Sequence, residues 1–406
     1  MRQTENESEK FPPCGYGLLG LCCSACLLGP CRLSPFEKES ERGLCGDDRD
    51  LIVAKNLLRL AMVEAVEVMK SLKETVEKFA DQNLTQHSKK RPTKRVEEGL
   101  VEKYGFSPKI SSKQMAQFLI KESRNLLSPF PESRGSLLSS LYPEKAFPSI
   151  YQDHLLSGSM GSLLFNSLDI GQRKFSEAEG ILWKCLQISM HTLISKELRH
   201  DLQYLIDGEE ISDRDKKALD ILGCLPTKSS PVILLLSSED APFNELIKRM
   251  ANELEQNLKG VSLLIPIPED VSLLDTGRRL FKKWSLSVPE MNAIVLISSK
   301  SATPVLGALI LGFHVASFPP LPIHGSGRVE KFFFEDFKKR FGNNYFPSWQ
   351  EDLLSSILEF LRGRICISTS SEVDLQGSLL RKLSGGEIMR VLSQWLRPTI
   401  IWLTLR

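Results

Sequence analysis

From Asp47 to Phe79 the apolar residues Leu51, Ala54, Leu57, Leu58, Ala61, Ala65 and Val68 recur at intervals of three and four behind an aspartate, which predicts one long amphipathic helix. Residues 80–227 continue in the helical period, interrupted by Pro92, Pro108, Pro129, Pro131, Pro143 and Pro148, with the strongest helical stretches over 101–126, 155–168 and 177–205. From Pro231 the pattern changes. Short apolar runs at 231–236, 261–267 and 293–298 predict strands, with an amphipathic stretch at 241–258 and a helical candidate at 304–313. Strands alternating with helices indicate a parallel sheet, so the predicted class is α/β multidomain. A helical domain over residues 1–227 precedes a Rossmann-like parallel α/β domain over 228–345, and C-terminal helices with a divergent tail occupy 346–406.

Composition narrows the function classes. With 42% hydrophobic and 25% charged residues over 406 positions, the chain is long enough for two or three domains around a sizeable core. A formal net charge of +2 gives no general electrostatic case for nucleic acid. The basic run Lys89, Lys90, Arg91, Lys94 and Arg95 reads as a solvated loop or helix end. The longest uncharged run, 301–327, is broken by Pro304, Pro319, Pro320 and Pro322, which suits a buried helix and strand rather than a membrane span. The opening MRQTENESEK is polar and mixed in charge, unlike a secretory or twin-arginine signal, and predicts a cytoplasmic location. No G-x-G-x-x-G follows the first predicted strand and no phosphate-binding loop motif occurs, so nucleotide binding has no support; the segment KLSGGEIMRVL at 382–392 is then a chance likeness to an ATPase signature.

Chemistry is concentrated in residues 14–45, CGYGLLGLCCSACLLGPCRLSPFEKESERGLC, which hold six of the nine cysteines. Crowded thiols in a long chain of this kind point to metal, with iron–sulfur ligation ahead of structural zinc or of unliganded packing cysteines. Cys23, Cys26, Cys31 and Cys45 are spaced C-x2-C-x4-C-x13-C, one complete set of four thiolates for a cubane cluster. Cys22 adjoins Cys23, and consecutive side chains diverge, so Cys22 needs another partner. Cys14 and Cys22, separated by Gly15, Gly17 and Gly20, supply half of a second four-thiolate site, which a twofold dimer would complete.

The run CGYGLLGLCCSACLLGPCR, followed by GLCGDDRDLIVAKNLLR at 43–59, resembles the N-terminus of the anaerobic nickel–iron carbon monoxide dehydrogenase catalytic subunit, with hybrid-cluster proteins as more distant relatives. All six cysteine positions match. The resemblance implies that Cys14 and Cys22 bind a subunit-bridging Fe–S cluster, and that Cys23, Cys26, Cys31 and Cys45 bind one internal [4Fe–4S] cluster per subunit. It implies a homodimer joined through the shared cluster. A second likeness, FPPLPIHGSGRVEKFFFEDFKKRFGNNYF at 318–346, is to the carboxy-terminal end of the same subunits. The two matching stretches lie closer together here than in the family, as though a block comparable to a whole domain were absent between them.

Other family features are missing. Histidines expected toward the end of the first long helix are replaced by Glu67, Val68, Met69 and Lys70. The family's nickel–iron–sulfur site takes one histidine and several cysteines from the α/β domains, as soft-ligand chemistry requires. Here the first two strands are followed by LLLSSEDAP at 234–242 and IPIPEDV at 265–271, and Cys185, Cys224 and Cys366 are isolated. His87, His154, His191, His200, His314 and His324 read as surface or satisfied core residues, and Cys185 as a small buried hydrophobe. The expectation is an electron-transfer protein without its own carbon monoxide-oxidising Ni–Fe–S site, paired with a ferredoxin-like carrier or a full-length dehydrogenase. The alternatives are an active dehydrogenase with a variant or partner-completed site, and a non-catalytic assembly partner.

Overall fold

The computed structural model describes residues 14–36, 41–84, 94–130, 155–168, 177–207, 232–237, 262–267, 278, 293–298, 301–318 and 321–333. The expected helix at 241–258, the residues His87, His154, Cys224 and Cys366, the segment 382–392 and the C-terminal tail lie outside them.

The chain begins with a short helix α1 (Gly15–Leu18) and a two-stranded hairpin of β1 (Cys22–Cys23) and β2 (Cys31–Arg32). The long helix expected from the three–four spacing follows as α2 (Arg49–Leu84). Asp48 accepts from the Leu51 N–H at 2.9 Å and supplies one of the free donors at the helix start. Ile52, Ala54, Leu57, Leu58, Ala61, Ala65, Leu72 and Val76 are buried along one stripe. The opposite face carries the spaced pairs Lys70–Glu74 and Lys73–Glu77.

The stretch expected as one helix over 101–126 is two. Helix α3 (Lys94–Tyr104) stops at Gly105, whose φ of +66° is the left-handed conformation that ends helices. Pro108 follows, and α4 (Ser112–Leu127) starts afresh from a capping box between Ser111 and Gln114. Tyr104, Phe106 and Phe118 stack across the break. Helices α5 (Met160–Ser167) and α6 (Ala178–Asp207) complete the described part of this region.

Helix α6 is the central element, packing against α2, α4, α5 and α3 and against the later helices. Leu182, Cys185, Leu186, Met190, Ile194, Leu198 and Leu202 are buried, and so are Ser189, His191, Thr192 and Ser195, so the helix is covered on every side. The hydroxyls of Ser189, Thr192 and Ser195 donate to the carbonyls four residues back, at 2.8, 2.7 and 2.8 Å, and Ser195 Oγ also reaches Met160 Sδ at 3.1 Å.

All three predicted strands form, as β3 (Val232–Ser237), β4 (Ser262–Ile267) and β5 (Ala293–Ser298). The helical candidate becomes α7 (Thr303–Ile310), followed by β6 (His314–Phe318) and α8 (Gly327–Lys331). The strands make a parallel sheet in the order β4-β3-β5-β6, with Leu235 opposite Pro266 and Ser237 opposite Ser298. Pro266 lies in β4, at the end of this order, where a residue without an N–H is tolerated. Helix α7 lies so close to α6 that a Cβ on Gly307 would run into the Leu193 side chain. Among the described residues no helix is long and apolar enough to cross a membrane.

Candidate metal centre

The β1–β2 hairpin organises the cysteine segment. Cys23 faces Cys31 across the antiparallel pair, and Cys22 faces Arg32. Strand alternation puts neighbouring side chains on opposite faces. Cys23 is accordingly buried in the core while Cys22 is half-exposed. Cys26 lies in the hairpin loop, where its carbonyl accepts from Gly29 N–H at 3.3 Å. The Leu44 N–H donates to Cys31 Sγ at 3.3 Å, which brings Cys45 beside the hairpin. Cys14 is exposed at the start of α1, immediately before its first helical residue. The four cysteines of the complete set thus share the hairpin and its adjoining loop; Cys14 is exposed, Cys23 buried, and Cys22, Cys26, Cys31 and Cys45 are half-buried. Among the described residues no three His, Cys, Asp or Glu side chains are already drawn into a closed cage.

Two other parts of the chain hold this segment. In the first turns of α2, Arg49 donates to the Ser34 carbonyl, Lys55 forms a buried ion pair with Asp47 at 2.6 Å, and Asn56 Nδ2 donates to the carbonyls of Gly20 and Cys22, both at 2.8 Å. From the C-terminal side, Gly325 N–H donates to the Leu19 carbonyl at 2.9 Å. Ser326 Oγ donates to Asp50 of α2, which also meets Arg328 at 3.2 Å. Gly20 and Gly325 are required here. A Cβ on Gly20, at φ +77°, would strike the Pro322 carbonyl, and one on Gly325 would strike the Leu19 carbonyl. The two stretches that carried the sequence resemblance, far apart along the chain, therefore meet at the cysteine segment.

Electrostatics are local. Burial pushes the Cys45 thiol up, and the nearby Asp47 both opposes and adds to that through separate contacts. Thiolates are the soft donors that an iron–sulfur group takes, and here one of them, Cys31, already accepts from a backbone N–H.

Other sequence candidates scatter. Cys185 is fully buried and its thiol is pushed up by burial, as expected of a packing cysteine. His191 departs from the expectation of a satisfied core histidine: it is buried, and neither ring nitrogen reaches a hydrogen-bond partner. His200 Nε2 lies 3.2 Å from Arg199, and His324 Nδ1 lies 3.5 Å from Glu330. His314 sits in β6. Glu67, Val68, Met69 and Lys70 lie within α2, Ser237 ends β3 and Pro266 is inside β4, whereas Ser238 and Pro268 are outside the described residues. Sequence reasoning missed Asn56 and the Asp47–Lys55 pair. Their only trace was a pair of polar residues interrupting the apolar stripe in IVAKNLL.

Residues 21–157, a span that includes the hairpin and helices α2 to α4, match the model of the Prismane/CO dehydrogenase family. Within the class the likeness is to carbon monoxide dehydrogenases. The chain is 32% identical over 133 residues to carbon monoxide dehydrogenase 1 of Methanosarcina acetivorans, covering 32% of this chain and 20% of that protein. It is 55% identical over 49 residues to the carbon monoxide dehydrogenase of Rhodospirillum rubrum, covering 12% and 8%. Among solved structures, carbon monoxide dehydrogenase IV from Carboxydothermus hydrogenoformans aligns over 89% of this chain and 64% of its own, with 15% identity and a TM-score of 0.44. The match to the Methanosarcina protein thus spans about a fifth of that relative's length.

Proposed function

We propose that the chain is an iron–sulfur redox protein that passes electrons through [4Fe–4S] clusters and does not itself oxidise carbon monoxide. Cys23, Cys26, Cys31 and Cys45 would hold an internal cluster, and Cys14 and Cys22 half of a cluster shared with a second copy of the chain. A cluster bound there supplies a site that takes up and returns one electron at a time. The protein's own part is to fix the thiolates, to bury Cys23 in the core, and to leave Cys14 exposed toward a partner. We place the four parallel strands in a Rossmann-like domain, since their order reverses between β3 and β5 as in doubly wound sheets. The carboxyl ends at that reversal carry Ser237 and Ser298 where a nickel site would need soft ligands. A cytoplasmic setting and a ferredoxin-like or full-length dehydrogenase partner go with this reading.

The observation that carries it is the hairpin, which pairs Cys23 with Cys31 and receives the Cys45 loop through the Leu44-to-Cys31 hydrogen bond. Anaerobically purified protein should contain iron and sulfide at about six of each per chain, from one whole cubane and half of a shared one. Zinc in place of iron would overturn the assignment. Nickel near one equivalent, or sustained viologen reduction under carbon monoxide, would overturn the claim that no oxidising site is present.

A further inference from the structure

We infer that Lys55 is a positioning residue: its buried ion pair with Asp47 braces the turn that carries Cys45 against α2, and so places the fourth ligand of the internal cluster. The meaning of that placement rests on the cluster assignment proposed above. Cys23, Cys26 and Cys31 share one hairpin, so the strand pairing and its loop set their spacing. Cys45 follows Cys31 only after thirteen intervening residues, and the hairpin does not place it. Local contacts shape its turn instead. The Gly43 N–H donates to the Asp47 carbonyl and the Gly46 N–H to the Gly43 carbonyl, both at 2.8 Å, so residues 43–47 close on themselves with Cys45 inside. Gly46 takes a φ of +88° within this turn, a conformation suited to glycine.

The turn is held from two sides. Toward the hairpin, the Leu44 N–H donates to Cys31 Sγ at 3.3 Å; toward α2, Asp47 Oδ2 meets Lys55 Nζ at 2.6 Å. A Cβ on Gly43 would stand 3.4 Å from both Cys31 Sγ and Ile52 Cδ1, so the turn fills the space between hairpin and helix. Arg49 on the Ser34 carbonyl, and the Ser34 N–H on Glu41, hold the connection further upstream. Lys55 itself is buried among Ile52, Val53, Ala54, Leu57 and Leu58. Helical side chains lean toward the N-terminus, which lets this ammonium reach back to a residue just before α2. A buried ion pair is a poor way to gain stability, since well-packed apolar residues of similar volume often serve as well or better. What apolar packing lacks is a fixed partner. Asp47 cannot swing away without stranding a cation in the core, so the turn keeps one arrangement against the helix, where apolar contact would let it slide.

The test treats the full chain, reduced and metal-free, with dibromobimane, which joins two thiols only when they lie side by side, and reads the links by mass spectrometry. The wild type should give a Cys31–Cys45 link, with links among Cys23, Cys26 and Cys31 as the internal standard and the buried Cys185 unlabelled as a reporter of an intact core. Lys55→Met keeps the length of the side chain and loses the charge. It should lower the Cys31–Cys45 link relative to the standard by at least about tenfold, with Cys185 still protected. Should it expose Cys185 and so report unfolding, Asp47→Asn combined with Lys55→Met carries the test, because removing both charges leaves none buried alone. The double variant should keep Cys185 protected and still lose the link, which a merely stabilising pair would not require. Loaded anaerobically with iron and sulfide, it should show the paramagnetic signature of a three-iron cluster, as expected of a cubane short of one thiolate, where the wild type shows that of a four-iron cluster. An unchanged link in either variant with Cys185 protected, a four-iron signature in the double variant, or no Cys31–Cys45 link in the wild type would overturn the inference. Iron analysis separates it from the wider reading: a wild type that takes up no iron would sink the cluster assignment and leave the cross-linking contrast in place.

Discussion

Single residues in this protein are strained or paired for identifiable reasons, and their effects can be calculated. His191 lies in the covered middle of α6, and burial lowers its pKa to about 4, opposed by the nearby Ser157 backbone, which lies outside hydrogen-bond reach of the ring. In the unfolded chain the ring titrates near 6.5. The folded pKa is the lower of the two, so the stability tied to the neutral ring is complete above pH 6.5 and is lost as pH falls toward 4. The loss is about 3 kcal/mol over that window. Urea midpoints measured between pH 7 and pH 4.5 should fall more steeply for the wild type than for His191→Leu; parallel curves would refute the assignment. No local signal marks this, because an apolar helix face reads the same whether a histidine in it is bonded or not. At Gly20 the positive φ and the Pro322 carbonyl together exclude a side chain. Gly20→Ala should therefore cost at least about 1 kcal/mol and loosen the 321–326 loop from the cysteine segment, which limited proteolysis would detect.

Between elements, legibility depended on whether the determining signal was local. The three strands were readable because short apolar runs bounded by polar residues have few other uses, and α2 because its three–four apolar spacing recurs over many turns. The break between α3 and α4 was missed because Gly105 and Pro108 interrupt a spacing that resumes in phase after Ser111. Ser111→Ala should cost about 1 kcal/mol of thermal stability by removing the cap that starts α4. What fastens elements together was not legible, since its partners are distant in sequence. Lys103 of α3 meets Glu197 at 2.7 Å and Asp201 at 2.6 Å on α6, Arg278 pairs with Glu197, and Tyr104 donates to Asp201. Burial raises Asp201 against the pull of Lys103, and pushes the Tyr104 hydroxyl well up. Elsewhere burial acts to raise Glu64, yet Lys196 with the hydroxyls of Ser301 and Thr303 brings it below its ordinary range, which ties α2, α6 and the start of α7. Lys103→Met would leave the buried Asp201 carboxylate without its cation, while Glu197 keeps Arg278, and should cost about 3–5 kcal/mol. A loss under 1 kcal/mol in chemical denaturation would show that the network carries little.

At the scale of the whole molecule, the cysteine motif was legible because thiol spacing is a local record of metal geometry, whereas the contact between residues 19–21 and 322–325 was visible only in three dimensions. The open side of that assembly is apolar. Leu27, Leu28, Phe36 and Leu44 are all strongly exposed around the hairpin, and Tyr16 stands beside Cys14. Apolar side chains gathered next to two unshared thiols suit a face that a second copy covers, since a twofold axis there would bury the leucines and complete a four-thiolate site in one step. The two contributions are separable by mutation. Changing Cys14 and Cys22 together to Ser should remove the shared cluster, lower iron by about two per chain and weaken the dimer, leaving the cluster of Cys23, Cys26, Cys31 and Cys45 spectroscopically intact. Changing Leu27 and Leu28 to Ser should weaken association without touching a ligand, so iron would fall only as far as the monomer fraction rises. Sedimentation with iron analysis distinguishes these outcomes: a wild type that is monomeric with full clusters, or a double cysteine variant with unchanged iron, would mean that Cys14 and Cys22 do not form half of a shared site.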